Sequence, residues 1–146
     1  MAASELDLPS RRGAVAVVVR QGKLLVIKRA EIVRAPGAFC FPGGGIEAGE
    51  SEQQALVREF QEELAAVIQP VRRLWHSVTR WGVELDWWLA YLPSDEQLVP
   101  NPAEVESVHW LTAAEMLAEP RLLESNRTFL DAIATGKIEL DLGAGD

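Results

Sequence analysis

Three glutamates, Glu59, Glu62 and Glu63, lie within one stretch of five residues, and Arg58 directly precedes them. On a helix turning about 100° per residue, Glu59 and Glu63 fall about 40° apart and one turn along the axis, with Glu62 about 60° to the other side of Glu59. Carboxylates this close repel one another unless they are protonated or share a cation, and like charges four residues apart weaken an isolated helix. One reading is an exposed, salt-tolerant helix end. The more economical one is a bound hard cation, because oxygen-only ligands select Mg2+, with Mn2+ as a substitute, over softer metals. Mg2+ takes few protein carboxylates and completes its shell with water and phosphate oxygens. Charge placement agrees: residues 11–34 hold seven basic groups against Glu31, whereas residues 44–66 hold six acids against Arg58. A basic block beside an acidic one suits a metal-bridged phosphate ligand, with the acids on the cation and Arg or Lys on the outer oxygens.

The acidic trio needs a helix, and the sequence around it supplies one. Ser51-Glu-Gln-Gln54 fits a capping box, and Leu56, Phe60 and Leu64 form an apolar stripe with Val57 beside it, predicting a helix from Ser51 to about Leu64. The three carboxylates flank that stripe, at the border where the helix meets the domain body. Upstream, Gly13–Val19 reads as a buried strand, Gln21-Gly22 as a turn and Lys23–Ile27 as the returning strand. A loop over residues 30–38 precedes a short strand, Phe39–Phe41, that runs into Pro42-Gly43-Gly44-Gly45, where three glycines suggest unusual backbone geometry or close ligand approach. Downstream, Val71–Arg80 and Val83–Leu92 form a hairpin about Trp81-Gly82, followed by a loop and a strand over Val105–Leu111. Thr112-Ala-Ala-Glu115 opens a short helix that Pro120 stops, and Leu122–Ala134 reads as a helix closed by Gly136. The alternating Lys137–Leu142 reads as a terminal edge strand or as a tail pairing with another chain. Without steady βα alternation, the fold class expected is α+β with a mixed sheet.

Length and composition bound the rest. The 146 residues suit one domain, 1–146, with residues 1–12 as a lead-in and 137–146 as the terminal strand or tail. The balance of 48% hydrophobic and 25% charged residues is that of a soluble globular protein. No apolar run approaches the ~20 residues that cross a bilayer, and the N-terminus lacks a secretory pattern. One cysteine, Cys40, rules out a disulfide scaffold and a multi-cysteine zinc site and favours a reducing, cytoplasmic compartment. The net charge of −8 disfavours general nucleic-acid binding. His76, His109 and Cys40 read as structural. Trp87 and Trp88, adjacent on a strand, must point to opposite faces.

Gly44, Glu50, Arg58, Glu59, Glu62 and Glu63 follow the spacing Gly–x5–Glu–x7–Arg-Glu–x2–Glu-Glu. This pattern, over residues 44–66, resembles the Nudix box. With Phe41-Pro-Gly-Gly-Gly45 and Leu25-Val-Ile-Lys-Arg29 around it, the likeness to Nudix hydrolases extends over residues 13–134. The resemblance implies an α/β/α sandwich around a mixed sheet and Mg2+-dependent hydrolysis of a nucleoside diphosphate linked to another moiety, a small nucleotide-type substrate. It implies Glu59 and Glu63 as principal metal ligands, Glu62 as an additional one, and the carbonyl of Gly43 as a further oxygen ligand. Glu50 and Arg58 would form an orienting ion pair. The general base would come from outside the box, with Glu104 preferred over Glu106. Arg29 and Arg34 are phosphate-binding candidates, and Phe41 joins them in the substrate-binding set. The chain departs from the family at Ala65, where glycine is usual and a left-handed helix exit costs a non-glycine residue about 1 kcal/mol. It also carries Phe39 where tryptophan is frequent. Arg80-Trp81-Gly82 stands in the windows where ADP-sugar and dinucleoside polyphosphate hydrolases carry proline and tyrosine, and the coenzyme A pyrophosphatase signature is matched only in part. Two alternatives accompany this reading: a catalytically silent Nudix-fold module that senses a nucleotide, and an RNA-end pyrophosphohydrolase. The apolar tail and surplus tryptophans point toward a homodimer.

Overall fold

The computed structural model describes residues 11–31, 33 and 35–142. The strands are β1 (Arg12–Val17), β2 (Val19–Arg20), β3 (Lys23–Arg29), β4 (Phe39–Cys40), β5 (Gly43–Gly45), β6 (Gln69–Val78), β7 (Glu84–Tyr91) and β8 (Val105–Leu111). The helices are α1 (Glu52–Leu64), α2 (Ala113–Leu117) and α3 (Glu124–Ala134).

Side chains alternate across a strand, so an unbroken apolar run must be covered on both faces. β1 and β3 are such runs. Ala14 and Ala16 of β1 and Leu25 and Ile27 of β3 join the core beneath α1, with Leu56, Phe60 and Leu64. Val15, Val17, Leu24 and Val26 face the other way and pack with Met116, Phe129 and Leu130 from α2 and α3. Helices therefore cover both sides of the strand layer. One sheet runs β5-β1-β7-β6, with β1 parallel to β7 and the other two pairings antiparallel. In the second, β3 pairs antiparallel with β2, β4 and β8. This is the mixed-sheet α+β sandwich that the sequence implies. Trp87 and Trp88 divide between the faces: Trp87 stacks on Phe129 at 4.5 Å between ring centroids, while the Trp88 indole N–H donates to Glu52 at 2.8 Å on the α1 side.

The glycine run forms a strand, Gly43–Gly45, paired through its backbone with Gly13–Val15 of β1, with Gly43 in the unusual backbone that the run suggests. One expectation changes. Of the expected terminal strand or tail, residues 143–146 lie outside the described residues and residues 137–142 form no strand. Ile138 is buried, Leu140 and Leu142 pack on the α3-side core, and Arg72 donates to the Glu139 carbonyl at 2.9 Å. The segment spends its apolar side chains on its own chain, which removes its argument for a homodimer. Of the expected lead-in, residues 1–10 lie outside the described residues, and Arg12 already belongs to β1. Among the described residues no helix is long and apolar enough to cross a membrane.

Candidate active site

The site is built where α1 crosses the β1–β5 edge. Ser51 caps α1 as its sequence predicts: its hydroxyl accepts from the Gln54 backbone N–H at 3.1 Å, and the Gln54 side chain accepts from the Ser51 N–H at 2.9 Å. With Leu56, Phe60 and Leu64 turned into the core, Glu59 and Glu63 are carried against the glycine strand. The Gly43 N–H donates to Glu63 Oε1 at 3.0 Å. Gly43 has φ +152°, and a Cβ there would run into the Ala14 carbonyl; a Cβ on Gly44 would overlap the Glu59 carboxylate. Gly43 thus lets β5 close on β1, and Gly44 leaves room for an acid.

Arg58 organises the rest. Its Nε and Nη2 grip Glu50 at 2.6 and 3.0 Å, and Nη2 also donates to the Gly45 carbonyl at 2.9 Å. Its Nη1 reaches Glu59 at 3.0 Å and Glu62 at 3.1 Å, with Glu47 at 3.8 Å. The bidentate Glu50–Arg58 pair fixes the helix to the loop that precedes it, and the Gly45 bond fixes it to β5. The pair's hydrogen bonds hold the Glu50 carboxyl below the usual carboxylate range and raise the Arg58 guanidinium further.

Glu59 and Glu63 behave otherwise. Burial raises the Glu59 carboxyl to about 7 against the pull of Arg58, and the charges of Glu62 and Glu104 add to the rise. Burial also raises Glu63 well above the carboxylate range; the Gly43 N–H opposes this, and Glu59 and Glu104 reinforce it. Strongly perturbed acids at a shared surface are a mark of functional sites. Glu104 therefore lies within electrostatic reach of both acids, whereas Glu106 is exposed and paired with Lys28 at 2.9 Å. Arg29 acts on Glu63 and on Cys40, whose thiol burial pushes up to about 11, so Cys40 carries no thiolate chemistry at neutral pH. Arg34 lies outside the described residues.

Phe41 requires a correction. Its ring is buried and packs edge-on against Trp87 and Phe129 at 6.1 and 5.5 Å, so it is core and cannot stack on a ligand. Phe41 lies in the link between β4 and β5, and its ring turns into the α3-side core. Its backbone N–H instead donates to the buried Asn126 side chain at 2.9 Å. That bond, with Leu123 N–H donating to the Phe39 carbonyl at 3.0 Å, ties the start of α3 to the strand entering the glycines. Beside it a cavity of about 230 Å³ opens between the β6–β7 hairpin and α3, lined by Ser77, Thr79, Arg80, Trp81, Ser125 and Thr128 among others. No motif marks these residues. The hairpin turn and its tryptophan were the available signals.

The donor set fits a hard divalent ion. It is all oxygen, it contains a buried and a half-buried acid whose carboxyls burial raises, and a glycine cradle leaves room for one of them. Among the described residues no three His, Cys, Asp or Glu side chains are grouped as a ready-made ion site. Glu62 is turned to Arg58, its side chain 48% exposed, so Glu59 and Glu63 are the acids already in place.

A family model described as NUDIX domain matches residues 10–133. The CTP pyrophosphohydrolase of Escherichia coli (strain K12) is 45% identical over 49 residues, covering 34% of this chain and 36% of that protein. The RNA pyrophosphohydrolase of Erythrobacter litoralis is 32% identical over 141 residues, covering 80% of this chain and 83% of that protein. The solution structure of the E. coli ORF135 protein superposes with a TM-score of 0.68 at 26% identity, covering 86% of this chain and 89% of that one.

Proposed function

The chain belongs to the NUDIX domain family, whose members act on pyrophosphate bonds, and on that premise we propose that it is a Mg2+-dependent pyrophosphohydrolase of a nucleoside diphosphate linked to another moiety. The observation that carries this reading is a pair of acids, buried Glu63 and half-buried Glu59, set against the glycine strand, where burial opposes their ionisation despite Arg58 and Arg29. In this reading Glu59 and Glu63 would hold the ion, with Glu62 as an additional ligand. The carbonyl of Gly43 adds an oxygen. A bound divalent ion would neutralise charge on the pyrophosphate oxygens and lower the pKa of its water. Glu50 and Arg58 keep α1 in register with β5. Glu104 takes the proton of the attacking water, and Arg29 binds an outer phosphate oxygen. We place the nucleoside in the cavity beside α3, because the Asn126–Phe41 bond ties the first turn of α3, part of the cavity's lining, to the segment that enters the glycines. We assign the protein to the cytoplasm on its lone, buried thiol.

A second reading, action on an RNA end, is favoured by the likeness to the Erythrobacter litoralis protein. The net charge of −8 opposes it, because tracking a phosphate backbone calls for basic surface.

The test is a panel containing CTP, ADP-ribose, a dinucleoside polyphosphate, coenzyme A and a 5′-triphosphorylated RNA, incubated with Mg2+ in heavy-oxygen water and read by product mass. Metal-dependent cleavage with the label on one phosphate product supports the reading, and the labelled product identifies the phosphorus attacked. Binding without turnover across the panel would instead make the protein a sensing module.

A further inference from the structure

The last carbonyls of a helix have no partner within it. In α1, Ala65 N–H takes the Gln61 carbonyl at 2.9 Å, and the next three carbonyls are met by one distant loop. Asn101 Nδ2 donates to the Glu62 carbonyl at 3.3 Å, Asn101 N–H to the Glu63 carbonyl at 2.8 Å, and Val99 N–H to the Leu64 carbonyl at 2.8 Å. α1 has no basic residue in its last turn to help.

The same asparagine holds the other side. Its Nδ2 donates to Glu104 Oε2 at 3.2 Å, and its Oδ1 accepts from Ala103 N–H at 3.1 Å. Its carbonyl accepts from the N–H groups of Glu104 and Val105 at 2.9 and 2.8 Å. One residue is thus bonded both to the backbone beneath Glu62 and Glu63 and to the carboxylate of Glu104. A side-chain amide meets all three partners, with two N–H donors for the Glu62 carbonyl and Glu104 and an oxygen for Ala103, whereas aspartate has only acceptors and serine a single donor.

We propose that Asn101 is a positioning residue of this active site, which sets the Glu104 carboxylate relative to the acids of α1. The inference rests on the reading of Glu104 as the carboxylate that handles the water proton. It reaches further by assigning the residue that holds Glu104. A residue that merely capped α1 would affect folding, not turnover by folded enzyme.

The experiment is a double-mutant cycle on the full chain, with Mg2+ and the panel member turned over fastest. Asn101→Asp keeps the side-chain size and the Ala103 acceptor but removes both donations. It is expected to lower kcat about tenfold with KM within about twofold, and Asn101→Ser, which adds no charge, should move kcat the same way. In the Glu104→Gln background Asn101→Asp should cost less than about twofold, because groups acting as a unit are non-additive. An equal factor in both backgrounds makes Asn101 a helix-end strut and overturns the proposal while leaving Glu104 in its role. Wild-type turnover by Glu104→Gln overturns both. A readout free of substrate accompanies the cycle: the Asn101 side-chain amide signal in a nitrogen-edited proton spectrum should shift in Glu104→Gln, and an unmoved signal counts against the proposal even if a variant folds poorly.

Discussion

Two clusters of charge flank α1, and they are built on opposite principles. In one, Glu47, Glu50, Glu59 and Glu62 share Arg58, while Glu63 sits behind them on the Gly43 N–H. In the other, Glu52 of α1 and the fully buried Asp86 of β7 are met by as many guanidinium groups. Arg12 lies 3.1 Å from Asp86 and 3.4 Å from Glu52, and Arg73 bonds Glu52 and lies 3.7 Å from Asp86. His76 adds a ring nitrogen 2.6 Å from Asp86. The second cluster is balanced and ties β1, β6, β7 and the first turn of α1 together. The first is short of positive charge, and its buried members resist ionisation. Buried charge that is fully paired acts as a strut, and buried charge that is not costs stability until something binds.

The largest effect should separate the two clusters outright. Glu63→Gln is expected to lower kcat by at least about a hundredfold while leaving the unfolding temperature of metal-free protein unchanged or higher, since it removes an uncompensated acid. The second effect is the ion's own. Mg2+ at a hundredfold excess over its Kd should stabilise the wild-type fold by about 2.7 kcal/mol, read as a rise in unfolding temperature that EDTA reverses and Glu63→Gln lacks. Equal stabilisation of that variant would move the ion elsewhere. Asp86→Asn should do the converse. It takes one carboxylate away from Arg12 and Arg73, but both are half-exposed and keep Glu52, so the loss is about 1–3 kcal/mol of stability rather than the larger penalty of a stranded buried charge. Turnover per folded molecule should stay within about twofold, as measured by kcat against denaturant-derived stability.

Acidity gives a smaller contrast with a definite sign. The Glu59 carboxyl stands near 7 when folded against an ordinary value of 4.5, and Glu63 is raised as well. Between those pH values the folded chain binds more protons than the unfolded one, so the metal-free fold loses stability as pH rises from 4.5 through about 7. The unfolding temperature of metal-free protein should therefore rise on acidification from neutrality toward pH 5. Glu59→Gln should flatten that slope, though modestly, because Glu59 is partly screened by solvent. Mg2+ stabilisation should run the other way, weakening as the ligands protonate.

The contrast also explains what could be read without coordinates. The acid-rich cluster lies within residues 43–63 apart from Glu104, and its spacing is helical, so the cap at Ser51, the stripe and the acids were all legible. The balanced cluster joins residues 12, 52, 73, 76 and 86, whose meeting depends on strand order and on β1 lying parallel to β7. No local period encodes that. The same limit hid Asn101, whose partners are 38 and 39 residues earlier on α1. The glycine run was legible as unusual but not as β5, because glycines pair by backbone alone and carry no strand pattern. Phe41 misled for the related reason that a motif gives adjacency to a site, while the packing of the link between β4 and β5 decides which way a ring points.

The smallest effect concerns the one departure within the box. Ala65 ends α1 at φ +55°, ψ +33°, the left-handed conformation that glycine adopts freely. Holding an alanine there costs about 1–2 kcal/mol, while glycine gives back part of that through its greater freedom in the unfolded chain. Ala65→Gly should therefore raise stability by about 0.5–1 kcal/mol, measured by denaturant unfolding. It should leave kcat alone: the Ala65 N–H already closes the helix on Gln61, and Asn101 and Val99 hold the next three carbonyls, so the acids upstream are fixed whichever residue stands at 65. A change in kcat without a change in stability would mean that the helix exit itself tunes Glu62 and Glu63. The two clusters would then differ in flexibility as well as in charge.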